Sequence, residues 1–132
     1  MEPYTIAMFG EAEKGEYSTA YFCQNLPQLV DNLGNPPPDS NGLYYAVQAL
    51  LYHHRLFFVR VQEEGFSIQD YLRGLHFLET RNLLSKIAAI AIPGVGDAEI
   101  IEAATPLCLA YHNILIISES DLYDYLTEIS AN

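Results

Sequence analysis

Residues 87–94 read IAAIAIPG, and this stretch decides the fold class. Its first six residues are the longest uninterrupted apolar run in the chain, and Pro93 and Gly94 end it with a turn. A short apolar run with β-branched residues and no polar alternation is typical of a strand covered on both faces. A membrane-spanning helix would require roughly 20 such residues. The stretch therefore predicts a buried strand of a layered α/β protein.

Three further apolar runs extend this pattern, and segments with helical spacing lie between them. The runs cover residues 4–9, 56–61 and 114–117. Strands that alternate with helices are typical of a mainly parallel sheet with helices on both faces. The sequence therefore predicts one domain over residues 1–132, a three-layer α/β sandwich with about four mostly parallel strands flanked by helices.

The segments between the runs predict five helices, some with recognisable ends. Gly34 is expected to stop the first helix, because glycine readily adopts the left-handed conformation found there. Ser67 and Asp97 are expected to cap the third and fourth helices, since their side chains can accept hydrogen bonds from first-turn N–H groups. The helices are predicted over residues 24–33, 41–54, 67–79 and 98–111, with the last one beginning at Ser118 or Ser120.

The composition restricts the classes of function. The chain has 132 residues and a net charge of −11, from 17 acidic and 6 basic side chains, and half of its residues are hydrophobic. That apolar content is too high for disorder. Nucleic acids and anionic membranes attract clustered Lys and Arg, so neither is an expected partner. The N-terminus lacks the pattern of a signal peptide, and we expect a soluble protein that is cytoplasmic if its source is bacterial.

Two glycine-containing loops have part of a phosphate-binding pattern. Residues 94–96 follow a strand and precede a helix, but Glu99 stands where a dinucleotide-binding motif has its third glycine. Residues 10–15 have the spacing of a phosphate loop, but Glu16 and Tyr17 replace the lysine and the hydroxyl residue of that motif. Acidic neighbours in both loops would repel a phosphate group. We interpret both loops as structural turns.

Three pairs of side chains resemble parts of catalytic or metal sites. Cys108 and His112 have a spacing that suits a nucleophile and its base, but Cys108 lies within an apolar helix face. His53 and His54 have no further ligand nearby at metal-binding spacing. The two glutamates at residues 63–64 leave an acid–base site open. On balance the sequence predicts no catalytic, cofactor-binding or metal-binding residue, and no cofactor.

Cysteine and tyrosine usage adds two weaker indications. Cys23 and Cys108 are far apart and lie in apolar surroundings, so we expect small buried hydrophobic residues rather than a disulfide. Ten tyrosines and no tryptophan fit either a protein interface or the core and boundary of a small domain.

Motifs in a fixed order along most of the chain carry a resemblance to a known family. They are residues 6–15 (IAMFGEAEKG), 43–51 (LYYAVQALL), 56–61 (LFFVRV) and 87–94 (IAAIAIPG). In contractile tail sheath proteins, a strand followed by Gly-x-Ala-Glu-basic-Gly opens the domain. A helix with Tyr-Ala-Val then leads to a strand ending in Val-Arg-Val, and a later apolar strand ends in Ile-Pro-Gly. Over residues 5–118 the chain resembles this family.

The resemblance implies a structural function without catalysis. Sheath subunits stack into a helical tube around an inner tube, in phage tails and related injection machines. The family also has a further C-terminal domain and terminal arms that add strands to neighbouring subunits. We therefore expect a reduced or truncated sheath core, in the cytoplasm or associated with a virion or injection machine. Protein partners or self-association are implied, and no small-molecule substrate is.

Two other classes of function stay open at this stage. One is a small-ligand binding or regulatory domain, because open α/β sheets bind ligands beyond the carboxyl ends of their strands. The loops at these ends are Gly10 and residues 62–65, 93–96 and 118–120. The other is a hydrolase or transferase that uses the Cys–His pair or the glutamate pair.

Overall fold

A five-stranded sheet forms the centre of the computed structural model, which describes residues 4–131, with side chains described over 4–127. The strand order is β2-β3-β1-β4-β5. Strand β1 pairs in parallel with β3 and β4, β4 pairs in parallel with β5, and β2 runs antiparallel to β3. The strands are β1 (Thr5–Gly10), β2 (Ala20–Cys23), β3 (Arg55–Arg60), β4 (Ala89–Ala91) and β5 (Ile114–Ile116).

Helices cover both faces of the sheet, so the predicted three-layer α/β sandwich is confirmed. Helices α1, α2 and α5 pack on one face, and α3 and α4 pack on the other. All five predicted helices are present, although α2 ends at Leu51 rather than at residue 54. The helices are α1 (Leu26–Leu33), α2 (Gly42–Leu51), α3 (Ile68–Thr80), α4 (Ala98–Tyr111) and α5 (Glu119–Ala131), and a short 3₁₀ helix spans Leu84–Lys86.

Strand β2 is a fifth strand that the apolar runs did not predict. The strand has only four residues, and Cys23 is the one among them that is buried. The strand is held by pairing with β3, which places Phe22 opposite Phe57 with ring centroids 4.9 Å apart. The connection from β1 to β3 therefore contains an antiparallel edge strand as well as the two predicted helices.

Alternation along β1 explains why buried strands were recognisable in the sequence. Ile6 and Met8 belong to the core under α1, α2 and α5, while Ala7 and Phe9 belong to the core under α3 and α4. Successive side chains of a strand point to opposite faces, so a strand covered on both sides is apolar throughout. All four residues are at most 1% exposed.

Two of the predicted helix starts are confirmed by side-chain caps. The Asp97 carboxylate accepts hydrogen bonds from the N–H groups of Glu99 at 2.8 Å and Ile100 at 3.4 Å. The Ser118 hydroxyl accepts one from the N–H of Asp121 at 3.1 Å. Each cap satisfies N–H groups that have no partner within the helix.

The parallel strands give the sheet two chemically different edges. We call the end where β1, β3, β4 and β5 begin the N-terminal edge, and the end where they finish the C-terminal edge. Helices α2 to α5 begin at the C-terminal edge, because each of them either returns the chain to the start of a parallel strand or follows β5. Both cysteines are free and buried within the layers, as predicted.

Candidate functional site

A crevice opens at the C-terminal edge between the loops that follow β1 and β4. These adjacent strands lead to helices on opposite faces of the sheet, which is the position where open α/β sheets bind ligands. The crevice has a volume of about 340 Å³, and its lining includes Glu11, Tyr45, Glu64, Phe66 and Pro93. Residues 63–64 and 93–94 belong to loops that the sequence predicted as a possible ligand site, whereas Pro38, Asp39 and Asn41 come from a segment that it did not.

The Glu64 carboxylate already occupies the anion-binding position of this crevice. One oxygen accepts hydrogen bonds from the N–H groups of Glu11 at 2.9 Å and Gly42 at 2.7 Å, and the other accepts from Asn41 at 2.9 Å. A helix N-terminus has unpaired N–H groups and a partial positive charge, and it attracts anions. At the start of α2, the Glu64 carboxylate of the same chain is this anion.

A close approach of two glycines makes this arrangement possible. A Cβ atom on Gly10 or on Gly42 would lie 2.7 Å from the Cα atom of the other residue, so neither position accepts a side chain without movement. The contact brings the start of α2 against the end of β1, within reach of Glu64. The N–H of Glu64 in turn donates to the Glu11 carboxylate at 3.1 Å.

Ser67 has a different role from the predicted cap of α3. Its hydroxyl donates to the carbonyl of Glu63 at 3.0 Å and accepts from the N–H of Glu63 at 3.1 Å, and it makes no bond to the first turn of the helix. Asp70 accepts a hydrogen bond from the N–H of Gln62 at 2.8 Å. Ser67 does stand at the N-cap position of α3, as predicted, but the expected side-chain bond to the first turn is absent, because both side chains hold the preceding loop instead.

A buried tyrosine, Tyr71, holds the loop at residues 62–67. We call this segment the Phe66 loop. The hydroxyl of Tyr71 accepts a hydrogen bond from the N–H of Gly65 at 2.8 Å, and burial raises the pKa of Tyr71 to about 12. Gly65 has φ +83°, and a Cβ atom there would lie 2.7 Å from the carbonyl oxygen of Gly94. The loop is therefore rigid, yet it leaves the Phe66 side chain 72% exposed.

Arg60 ties the loop at residues 10–15 to the sheet. Its guanidinium donates to the carbonyl of Ala12 at 3.1 Å and to that of Gly15 at 2.6 Å, and it lies 4.4 Å from the centre of the Tyr17 ring. The loop with phosphate-loop spacing is thus bound to a side chain of β3.

The structure does not activate the Cys–His pair. Cys108 is buried, and burial raises the pKa of its thiol to about 11, which disfavours the reactive thiolate at neutral pH. His112 is exposed at the end of α4 with φ +60°, and its backbone N–H donates to the carbonyl of Cys108. Of the two adjacent glutamates, Glu63 is exposed and Glu64 is bound as described above.

The two adjacent histidines differ sharply in environment. His53 is exposed, whereas His54 is 3% exposed and lies between the rings of Tyr4 and Tyr125, with centroids 6.4 and 5.8 Å away. Among the described residues neither ring nitrogen of His54 has a hydrogen-bond partner. Burial lowers the pKa of His54. The nearby backbone of Leu126 acts in the opposite direction, although it forms no hydrogen bond of normal geometry with the ring. The sequence indicated only a polar helix end here.

A second concave surface lies at the N-terminal edge, and we call it the basic groove. It has a volume of about 700 Å³, and its lining includes Tyr4, Phe22, Arg55, Phe57 and Lys86. Both cations are exposed, and neither makes an ion pair within the described part of the chain. The groove was missed in the sequence because it depends on β2, which brings Phe22 beside Phe57.

No family model, curated protein or solved structure matches this chain. Over the described residues, the helices are too short or too polar to cross a membrane. In the same part of the chain, no three His, Cys, Asp or Glu side chains form a group that could hold a metal ion.

Proposed function

We propose that this protein is a non-enzymatic structural or assembly module of the contractile tail-sheath type. The ordered motifs over residues 5–118 suggest this function, and the contacts among the motif residues support it. Arg60, from the Val-Arg-Val motif, binds the loop at residues 10–15, which is the Gly-x-Ala-Glu-basic-Gly motif. Gly10, from that same motif, packs against the start of α2 at Gly42. This bonding of motif to motif is the observation that carries the proposal, because it gives these residues a scaffold role.

An assembly module needs exposed side chains that can contact other proteins. Interfaces between proteins have an apolar core and are enriched in aromatic side chains. Here seven large apolar side chains are more than half exposed: Val30, Tyr44, Leu51, Phe66, Leu109, Ile114 and Tyr123. With protein partners or copies of itself, the module would act in the cytoplasm or within a virion or an injection machine. This function requires no cofactor and no small-molecule substrate.

The proposal is tested by the state of association in solution. Sedimentation velocity and light scattering should show species that grow with protein concentration, and electron microscopy should show ordered oligomers at the highest concentrations. Salt should be varied in parallel, because a chain with net charge −11 repels its own copies most strongly at low ionic strength. A strict monomer at every concentration and salt would overturn the proposal.

A small-ligand binding or regulatory function is the alternative, and the crevice at the C-terminal edge is the observation that favours it. Glu64 fills the anion position there, and Glu11, Asp39 and Glu63 line the same crevice. A neutral or cationic ligand would therefore fit better than a phosphate compound. A thermal-shift screen of nucleotides, amines and neutral metabolites separates the two functions. A shift that the Tyr45→Ala variant loses would favour the alternative.

A further inference from the structure

The basic groove is an unusual feature of a strongly acidic chain. The protein has only 6 basic side chains against 17 acidic ones, yet Arg55 and Lys86 flank one groove and make no ion pair within the described residues. The rings of Phe22 and Phe57 line the same groove with centroids 4.9 Å apart, and we call them its aromatic floor. This combination favours an anionic partner that also has an aromatic side chain.

Hydrogen bonds and strand pairing order the two sides of the groove. The buried side-chain amide of Asn113 donates to the carbonyl of Leu84 at 3.1 Å and to that of Ile87. These bonds fix the short 3₁₀ helix that presents Lys86. On the other side, the pairing of β2 with β3 fixes Phe22. A surface that is already ordered loses little entropy when a partner binds.

The complementary chemistry lies at the opposite edge of the same molecule. Phe66 is 72% exposed, and Glu63 beside it is exposed as well. Hydrogen bonds to Ser67, Asp70 and Tyr71 keep the Phe66 loop rigid, as described above. The loop is thus a rigid projection with one aromatic ring and an adjacent carboxylate, the two groups that the basic groove would bind.

We propose that the Phe66 loop of one copy docks into the basic groove of a second copy. Phe66 packs on the floor formed by Phe22 and Phe57, and the carboxylate of Glu63 faces the cations at the rim of the groove. This inference rests on the proposed assembly function and names the surface through which it occurs. Aromatic side chains that fill a pocket dominate the energy of many interfaces, and the flanking charges set orientation and association rate.

The geometry makes this contact head-to-tail. Strand β3 begins at the groove with Arg55 and Phe57, and the Phe66 loop follows its other end. A six-residue strand spans about 20 Å, so the loop of one copy does not reach its own groove. A pair joined in this way still has one free groove, on one copy, and one free loop, on the other. Such a heterologous contact continues into an open filament unless the rotation between copies closes a ring.

Sedimentation velocity of charge and aromatic variants tests the contact. Phe66→Ser removes the ring, and the double variant Arg55→Glu with Lys86→Glu reverses the rim of the groove. Each should weaken self-association at least about tenfold, as expected for loss of an interface anchor. Matched controls are Tyr44→Ser, another exposed aromatic residue, and the double variant Lys14→Glu with Arg81→Glu, which changes the net charge equally. The controls should associate like the wild type.

A mixing experiment separates this contact from a general loss of association. Phe66→Ser keeps an intact groove, and the Arg55→Glu, Lys86→Glu protein keeps an intact Phe66 loop. At a concentration where each variant alone is monomeric, an equimolar mixture should therefore form 1:1 dimers and nothing larger. Circular dichroism and thermal melting check that both variants remain folded.

The outcomes distinguish the inference from the function on which it rests. If the wild type associates and both variants associate equally well, the assembly function stands and the groove contact is wrong. If the mixture stays monomeric while each variant alone has lost association, the loop and the groove do not bind each other and the inference is also wrong. If the wild type never associates, the assembly function itself fails, and the inference fails with it.

Discussion

The two edges of the sheet satisfy their polar and charged groups in opposite ways. At the C-terminal edge the anion-binding start of α2 is filled by Glu64. At the N-terminal edge Arg55 and Lys86 flank an open aromatic groove without an ion pair among the described residues. Open α/β sheets bind ligands at the first of these edges. In this protein that edge is bonded internally, and the opposite edge offers the chemistry for a partner.

Helix direction explains why negative charge collects at the C-terminal edge. Helices α2 to α5 begin there, and carboxylates near a helix start are stabilised by unpaired N–H groups and the helix dipole. The acidic residues that follow strands or lie in first turns at this edge are Glu11, Glu63, Glu64, Asp70, Asp97, Glu99, Glu119 and Asp121. The charge polarity that a head-to-tail contact uses is thus a by-product of the parallel topology.

Replacing Glu64 should have the largest effect on stability, because this carboxylate provides the internal bonding that distinguishes the C-terminal edge from the N-terminal edge. We expect Glu64→Ala to lower the free energy of unfolding by about 3 kcal/mol, because three N–H groups lose a charged acceptor and each such bond contributes roughly 1.5–3 kcal/mol. Water replaces part of this loss at the open crevice. Urea denaturation followed by circular dichroism measures the change. Glu63→Ala is the control, and its exposed side chain predicts a change within about 0.5 kcal/mol.

Removing the Glu64 carboxylate should also allow the start of α2 to bind an anion from solution. The vacated start of α2 can accept an inorganic anion, so phosphate or sulfate should raise the melting temperature of Glu64→Ala more than that of the wild type. Chloride at the same ionic strength controls for screening. Equal effects on both proteins would show that the carboxylate does not stand in for a bound anion.

Replacing Arg60 tests the second internal bond of the C-terminal edge. Arg60→Met should cost about 2 kcal/mol, because the carbonyls of Ala12 and Gly15 lose a charged donor. Arg60→Lys should recover only part of this, since an ammonium group cannot reproduce two donors in one plane. Urea denaturation gives both values, and the exposed Arg73→Met serves as the control. An Arg60→Met effect no larger than that of Arg73→Met would contradict the role of Arg60.

The sequence predicted the buried strands better than the edge strand, for a physical reason. Strands β1 and β4 are covered on both faces, so burial makes every position apolar and the run is visible. Strand β2 lies at the sheet edge, and only Cys23 among its four residues is buried. Its existence depends on pairing with β3, which is distant along the chain. Local pattern does not contain that information.

Both candidate surfaces depend on contacts between distant segments, so neither was predictable in detail. Glu64 is 53 residues from Glu11, and the parallel pairing of β1 with β3 brings the two residues together. The close approach of Gly10 and Gly42 then adds the start of α2. In the sequence it was one of two adjacent carboxylates with no defined role. The basic groove likewise needs Phe22 and Phe57, which β2 brings together. What the sequence did mark correctly was the position of the loops at the carboxyl ends of the strands.

The smallest predicted effect concerns the pH response of the N-terminal edge. His54 lies at this edge under α5, facing Tyr4, Tyr125 and the neighbouring His53, and burial lowers its pKa from the usual 6.5. The unfolded chain therefore binds a proton at this histidine before the folded protein does. Its contribution to stability is complete above about pH 6.5 and decreases as the pH falls through and below that value.

Comparing His54→Leu with the wild type isolates this contribution. The leucine variant should lose less stability than the wild type between about pH 7 and pH 5, in urea denaturation at a series of pH values. His76→Gln, which removes an exposed histidine, should keep the wild-type dependence. Hydrogen exchange around Leu126 should quicken in acid for the wild type alone, because protonated His54 opposes the packing of α5. Identical pH profiles for the wild type and His54→Leu would place the acid sensitivity elsewhere, and the two edges would then respond alike to pH.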